Sequence, residues 1–375
     1  MPFDAEDMCF DPQGRVYLRT GKEVVRYQSM AWKEMPFDYG TERPSIGFSA
    51  SRDGRRSHAA GALVTPGHRS HSFWHLGGLD VNAAGHLVVT TCNGANPGVR
   101  AATGEAKAGF RYTSSPYTPV LYPGRYRWGE IHIYDDRGRV LHADAFRGIG
   151  HMNGIGIDKD DNIYCMASGH RVIDGKPYDP DAPHDLSETL IKVRPGRAKV
   201  LSTSRRIPIP LPGGSRPERS PDIGGNQASG GPAWVEDAEW FYGGVGFAGK
   251  NASWAAGGCC CWNARMDLDQ FGRSFAPELR HFSVAVLDSN GNLICRVGRY
   301  GNVEDGAPLI AKGGPPNARS VGGDEVGLFH AAYLETYTDN RLFIADAGNA
   351  RLLSVRLGYH ATERVNLKDV HDDGS

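Results

Sequence analysis

Apolar and polar residues along this chain fall into short runs, and the runs come in pairs divided by a polar turn. Phe10-Asp11-Pro12-Gln13-Gly14-Arg15-Val16-Tyr17-Leu18, Leu79 to Val89, Ile155 to Cys165 and Leu334 to Ala345 all follow that pattern. Apolar runs joined by Asp, Asn or Gly predict antiparallel hairpins. A second pair follows in Glu130 to Leu141, Thr189 to Leu201 and Phe282 to Ile294. Two hairpins in succession make one four-stranded blade, so the expected fold class is all-β: a β-propeller of five or six four-stranded antiparallel blades with long loop insertions.

Blade-like units are expected at about 4–36, 75–146, 151–203, 234–297 and 330–367. The stretch 38–72, with Ile46-Gly47-Phe48 and Ala62-Leu63-Val64, is the source of any degenerate sixth. Insertions rich in Gly and Pro cover about 93–129, 204–233 and 248–280, lengths that usually mark functional loops or disorder. No sustained helical period interrupts the series, and a single domain spans 1–375.

Charge narrows the partners. With 42 basic and 43 acidic residues the formal charge is −1, which suits neither a nucleic-acid surface nor an anionic membrane. No run of 18 apolar residues predicts a membrane span. Met1-Pro2-Phe3-Asp4 leads almost directly into the first strand without a signal-peptide pattern, as a trimmed chain or one part of a longer protein with other domains would. Membership of a longer protein would point to a secreted or periplasmic location, which is otherwise open. Seven scattered cysteines do not read as a disulfide framework, and the run Cys259-Cys260-Cys261 reads as buried thiols in a loop.

The candidate chemistry comes from one register of the repeat. His75, His151 and His330 each stand twelve residues ahead of the apolar residue opening the second strand, and the same offset in the first copy lands on Asp4. In a ring of blades these four side chains aim at one axis. Three neutral imidazoles and an open fourth position make a catalytic zinc site. Tyr333, three residues beyond His330, is a candidate base, and Arg265 or Arg273 a candidate partner for an anionic substrate group. Structural histidines, and an Asp267/Asp269 network holding the two arginines, are the plainer alternatives.

Residues 282–357, with Gly298-Arg299-Tyr300-Gly301-Asn302 and Asp339-Asn340-Arg341-Leu342-Phe343-Ile344-Ala345-Asp346-Ala347-Gly348-Asn349-Ala350-Arg351, resemble an NHL repeat. In it Gly348-Asn349 would form the tight turn and Asp346 would pair with Arg351 across it. That resemblance implies a propeller, commonly six-bladed, and no activity by itself. The placement of His75, His151 and His330 resembles the zinc-binding histidine triad of the peptidyl-α-hydroxyglycine (amidating) lyases, which implies zinc-dependent lyase chemistry on a small or peptide-like substrate. Glu6, Asn93 and Asn153 are similar in local context to the metal ligands of gluconolactonase-like propellers, which implies calcium or another divalent cation and lactone hydrolysis. A non-enzymatic NHL propeller, binding a protein or ligand with its channel plugged by Trp74 and Trp234, is the third reading. No P-loop, H-E-x-x-H or G-x-S-x-G motif is present.

Overall fold

The computed structural model describes residues 5, 7–19, 23–37, 61–64, 78–91, 130–149, 152–178, 187–202, 216–224, 232–246, 264–302, 326–337 and 340–358. Among these, regular structure is almost wholly β. No helix of the described residues is long and apolar enough to cross a membrane.

The hairpins form where the polar turns predict them, and their chemistry is uniform. Asp11, Asn82, Asp135, Asp158, Asp269 and Asp288 each accept, through a side-chain oxygen, the backbone N–H groups two and four residues on. Five of these turns carry a left-handed Gly at the fourth position, and in the sixth Asp161 (φ 63°) takes that conformation. In the last copy Arg351 Nε reaches Asp346 Oδ2 at 3.3 Å across the turn, as expected. The left-handed residue there is Ala350 (φ 50°) rather than Gly348 or Asn349, because the turn closes as a single 3-10 turn.

Five sheets form the blades of a β-propeller. Blade one orders Asp7–Phe10, Arg15–Arg19, Glu23–Gln28 and Lys33–Glu34 from the centre outwards, and blade two orders Leu79–Val81, Leu87–Thr91, Glu130–Tyr134 and Val140–His142. Blade three runs Met152–Ile157, Ile163–Ser168, Glu188–Val193 and Ala238–Val245. Blade four runs Asp267–Leu268, Ser274–Glu278, Ser283–Leu287 and Leu293–Val297, and blade five has three strands, Ala331–Tyr337, Arg341–Asp346 and Arg351–Arg356. The first strands of blades one to five pack side by side in sequence around a central cavity.

Three expectations are corrected. Lys199–Ser202 does not finish blade three: it pairs with Ala233–Glu236 in a separate sheet, and the blade takes its outer strand from Ala238–Val245. Residues 264–280, expected within an insertion, supply two strands of blade four. Leu63–Val64 lies against Glu23–Gln28 of blade one and starts no sixth blade among the described residues. The separate sheet shares a core with blades two and three, where Ile133, Phe146, Ile155, Ile191, Val200 and Val235 pack together.

Candidate functional site

The cavity at the centre has a volume of about 580 Å³, and its wall is the ring of five inner strands. Each of these strands pairs with the next in one register: Phe10 opposite Val16, Val81 opposite Leu87, Ile157 opposite Ile163, Leu268 opposite Ser274 and Thr336 opposite Leu342. The residues just before those pairs are Cys9, Asp80, Gly156, Asp267 and Glu335, and all but Gly156 line the cavity. Asp7, two positions above Cys9, adds a fourth carboxylate.

Three of these carboxylates fasten one blade to the next. Asp7 Oδ2 accepts the N–H of Gly78 at 2.5 Å, Asp80 Oδ2 that of Ile157 at 2.8 Å, and Asp267 Oδ2 that of Thr336 at 2.6 Å. Between blades three and four the device is replaced by close approach: a Cβ on Gly156 would lie 2.7 Å from Leu268 Cβ. Glu335 belongs to the same register in blade five and also lines the cavity.

The crowding of acids sets their protonation. Burial, then the neighbouring Asp267 charge, pushes Asp80 well above the usual carboxylate range, and burial raises Asp7 against the pull of Arg265. Asp267 is pushed up to about 6 and Glu335 to about 9, in both cases chiefly by burial. The proton settles on Glu335 for a local reason. Backbone N–H groups and the Thr336 side chain hold the charged form of Asp267, whereas Glu335 meets the charges of Asp267, Asp80 and Asp7. Cys9 lies among the same acids, and burial pushes its thiol far up, which leaves it a poor nucleophile.

One guanidinium faces this wall. Arg265 Nη1 stands 3.5 Å from Asp7 Oδ1, its guanidinium carbon lies 5.3 Å from the centre of the Tyr333 ring, and its own N–H is fixed to Ala332 O. Arg265 and Tyr333 are therefore brought together in the cavity wall. Arg273 is placed elsewhere, on a hairpin turn with Nε 2.5 Å from Asp269 Oδ2 and its guanidinium over Phe271.

His330 sits just before the inner strand of blade five, 7% exposed, with its backbone N–H bonded to Asp346 Oδ1 at 2.9 Å. His75, His151 and Asp4 lie outside the described residues, as do Glu6, Asn93, Trp74 and Cys259–Cys261. Asn153 is buried at the start of blade three and its Nδ2 donates to Glu188. Trp234 is buried in the separate sheet, bonded to Arg219 O, away from the cavity wall. Among the described residues no group of three or more His, Cys, Asp or Glu is spaced to hold a metal ion, and the oxygens of Asp7, Asp80 and Asp267 are engaged by backbone N–H groups.

No family model and no curated protein matches the chain. Among solved structures it is similar to regucalcin, a calcium-binding protein of Agrobacterium tumefaciens, at 12% identity over 94% of this chain and 89% of that one, with a TM-score of 0.32. It is also similar to a gluconolactonase of Xanthomonas campestris, at 12% identity over 92% and 83% of the two chains, with a TM-score of 0.28. The PQQ-bound aldose sugar dehydrogenase of Streptomyces coelicolor shares 12% identity over 95% and 80%, with a TM-score of 0.33. Likenesses of this size lend the chain no residue role and no activity.

Proposed function

We propose that the chain is a hydrolase of small lactones or esters, with its active site in the central cavity. The observation that carries this reading is the pair Asp267 and Glu335, two carboxyl groups of one cavity whose surroundings push their protonation apart. Near neutral pH Asp267 is the carboxylate and Glu335 the acid. Asp267 takes a proton from water as the water oxygen bonds to the carbonyl carbon. Arg265 holds the carbonyl oxygen as it gains charge, steadied by Asp7 and Tyr333. The C–O bond to the leaving oxygen then breaks, and that oxygen takes the proton of Glu335. Proton transfer back from Asp267 to Glu335 through solvent restores the pair.

The pH profile of kcat/KM tests this assignment against a panel of lactones and aryl esters. Activity needs Asp267 charged and Glu335 protonated, so it rises through about 6 and falls through about 9. A rate that climbs without a maximum to strongly alkaline pH, in the manner of hydroxide attack, would remove Glu335 from the mechanism.

Divalent-metal dependence is a separate proposal, and no step above passes through a metal. We propose zinc at His75, His151 and His330 for the amidating-lyase form of the reading, with His330 at the start of the blade-five inner strand as its support. Calcium, with Glu6, Asn93 and Asn153, belongs to the gluconolactonase-like form. Elemental analysis of chelator-free protein should find about one metal per chain, lost from the variant carrying His75→Ala, His151→Ala and His330→Ala. Equal metal in the two proteins, or none in either, would remove the histidine site.

A further inference from the structure

We propose that the central cavity recognises an organic cation, an ammonium carrying alkyl or aryl groups, as part of its substrate. The inference rests on the hydrolase reading for the word substrate, and on the cavity alone for the cation. Its first support is aromatic. Large apolar side chains left open to water gather here: Met8 and Phe10 from the blade-one inner strand, and Tyr333 and Tyr337 from that of blade five. Tyr337 is 64% exposed and Phe10 48%, so their rings are free to meet a ligand in the cavity. These side chains lie on the part of the cavity wall contributed by the inner strands of blades five and one.

The second support is the group of acids, of which Asp267 is charged near neutral pH and the others ionise more readily beside a positive charge. The same wall carries Asp7 and Glu335, with Asp80 and Asp267 close by. Aromatic faces backed by carboxylates are the chemistry that holds alkylated ammonium groups. The chain supplies its own precedent, since Arg265 lies between the Tyr333 ring and the Asp7 carboxylate in this same wall. Neutral polyols find hydrogen-bond partners here but no use for the rings, and anions meet the acids of four blades, with Arg265 and Lys159 as the cations of the lining.

A bound cation also changes the acids around it. Glu335 faces Asp7 and Cys9 of blade one, Asp80 of blade two and Asp267 of blade four, and shares the cavity lining with Arg265 and with Tyr333 and Tyr337 of its own strand. A positive charge among them favours their ionised forms, so binding releases protons and tightens as pH rises.

Calorimetric titration of the intact chain with benzyltrimethylammonium, and with benzyl alcohol as the neutral control, tests the inference without any turnover. The cation should bind at least about 10-fold tighter than the alcohol, tighten between pH about 5 and about 9 with proton release, and weaken about 5- to 30-fold in Tyr337→Leu. Tyr333→Leu, compared with it, reads the ring that Arg265 already uses. Equal affinity for the two probes, or a folded Tyr337→Leu that binds like wild type, would overturn it. Cation binding without hydrolysis of any ester sinks the hydrolase reading alone, and hydrolysis of neutral lactones without cation binding sinks this inference alone.

Discussion

Glu335→Gln should cost about 10²- to 10⁴-fold in kcat/KM while leaving the blades intact, because glutamine keeps the size of the side chain and loses its proton. The residue is accessible from the cavity and none of the bonds between blades passes through it, so the loss is chemical rather than structural. Melting curves give an independent reading of the same group. Its acidity in the folded chain is lowered, with the pKa raised from 4.5 to about 9, so the folded state binds the extra proton. The stability this contributes is fully present below about 4.5 and is lost as pH climbs through about 9. Glu335→Gln should therefore melt level with or below wild type near pH 5 and gain on it by about 1–3 °C near pH 9. Full activity in the glutamine variant would end the acid role, and a melting difference independent of pH would end the placement of the proton.

The second large effect falls on one glycine of blade two. Gly78 has φ 100°, and a Cβ there would stand 1.7 Å from Thr90 Oγ1. Its N–H is the one taken by Asp7, and its carbonyl receives Arg19 Nη1 at 2.7 Å and the Thr90 N–H at 2.9 Å. Gly78→Ala adds a left-handed penalty to an overpacked contact, together about 2–4 kcal/mol. A fall in Tm of about 2.5–5 °C follows, with partial recovery when Thr90→Ala removes the obstructing hydroxyl. A Tm within about 1 °C of wild type would mean that the junction of blades one and two is far more yielding than its bonds imply.

The hairpins were readable because each turn announces itself locally: Asp11, Asn82, Asp158 and Asp269 bond to their own neighbours, and a left-handed residue follows three positions on. The outer strand of blade three was not. Lys199–Ser202 is next in sequence and carries the apolar pair Val200-Leu201, yet the partner of Glu188–Val193 is Ala238–Val245, a strand whose two glycines and exposed Glu239 blur its alternation. Ring order is a long-range choice, and local pattern does not contain it. The site was half visible. The histidine register does not reach the acids five positions closer to the second strand, although Leu79-Asp80-Val81, Met266-Asp267-Leu268 and Leu334-Glu335-Thr336 each set a carboxylate directly after an apolar residue of the inner wall. Arg265 and Tyr333 emerged from sequence as separate candidates, and only the fold shows that they share a wall.

The three carboxylate links have a consequence for how such a protein could change its substrate. Asp7, Asp80 and Asp267 are at once the colour of the cavity and the hoops of the barrel stave, so altering one to suit a new ligand loosens a joint between blades. Met8, Phe10 and Tyr337 face the same cavity with side chains open to solvent, and they join no blade to its neighbour among the hydrogen bonds of the inner ring. Variation in specificity is thereby steered to the side chains of blades one and five that carry no such link, while Asp7, Asp80 and Asp267 are held constant by the demands of staying closed.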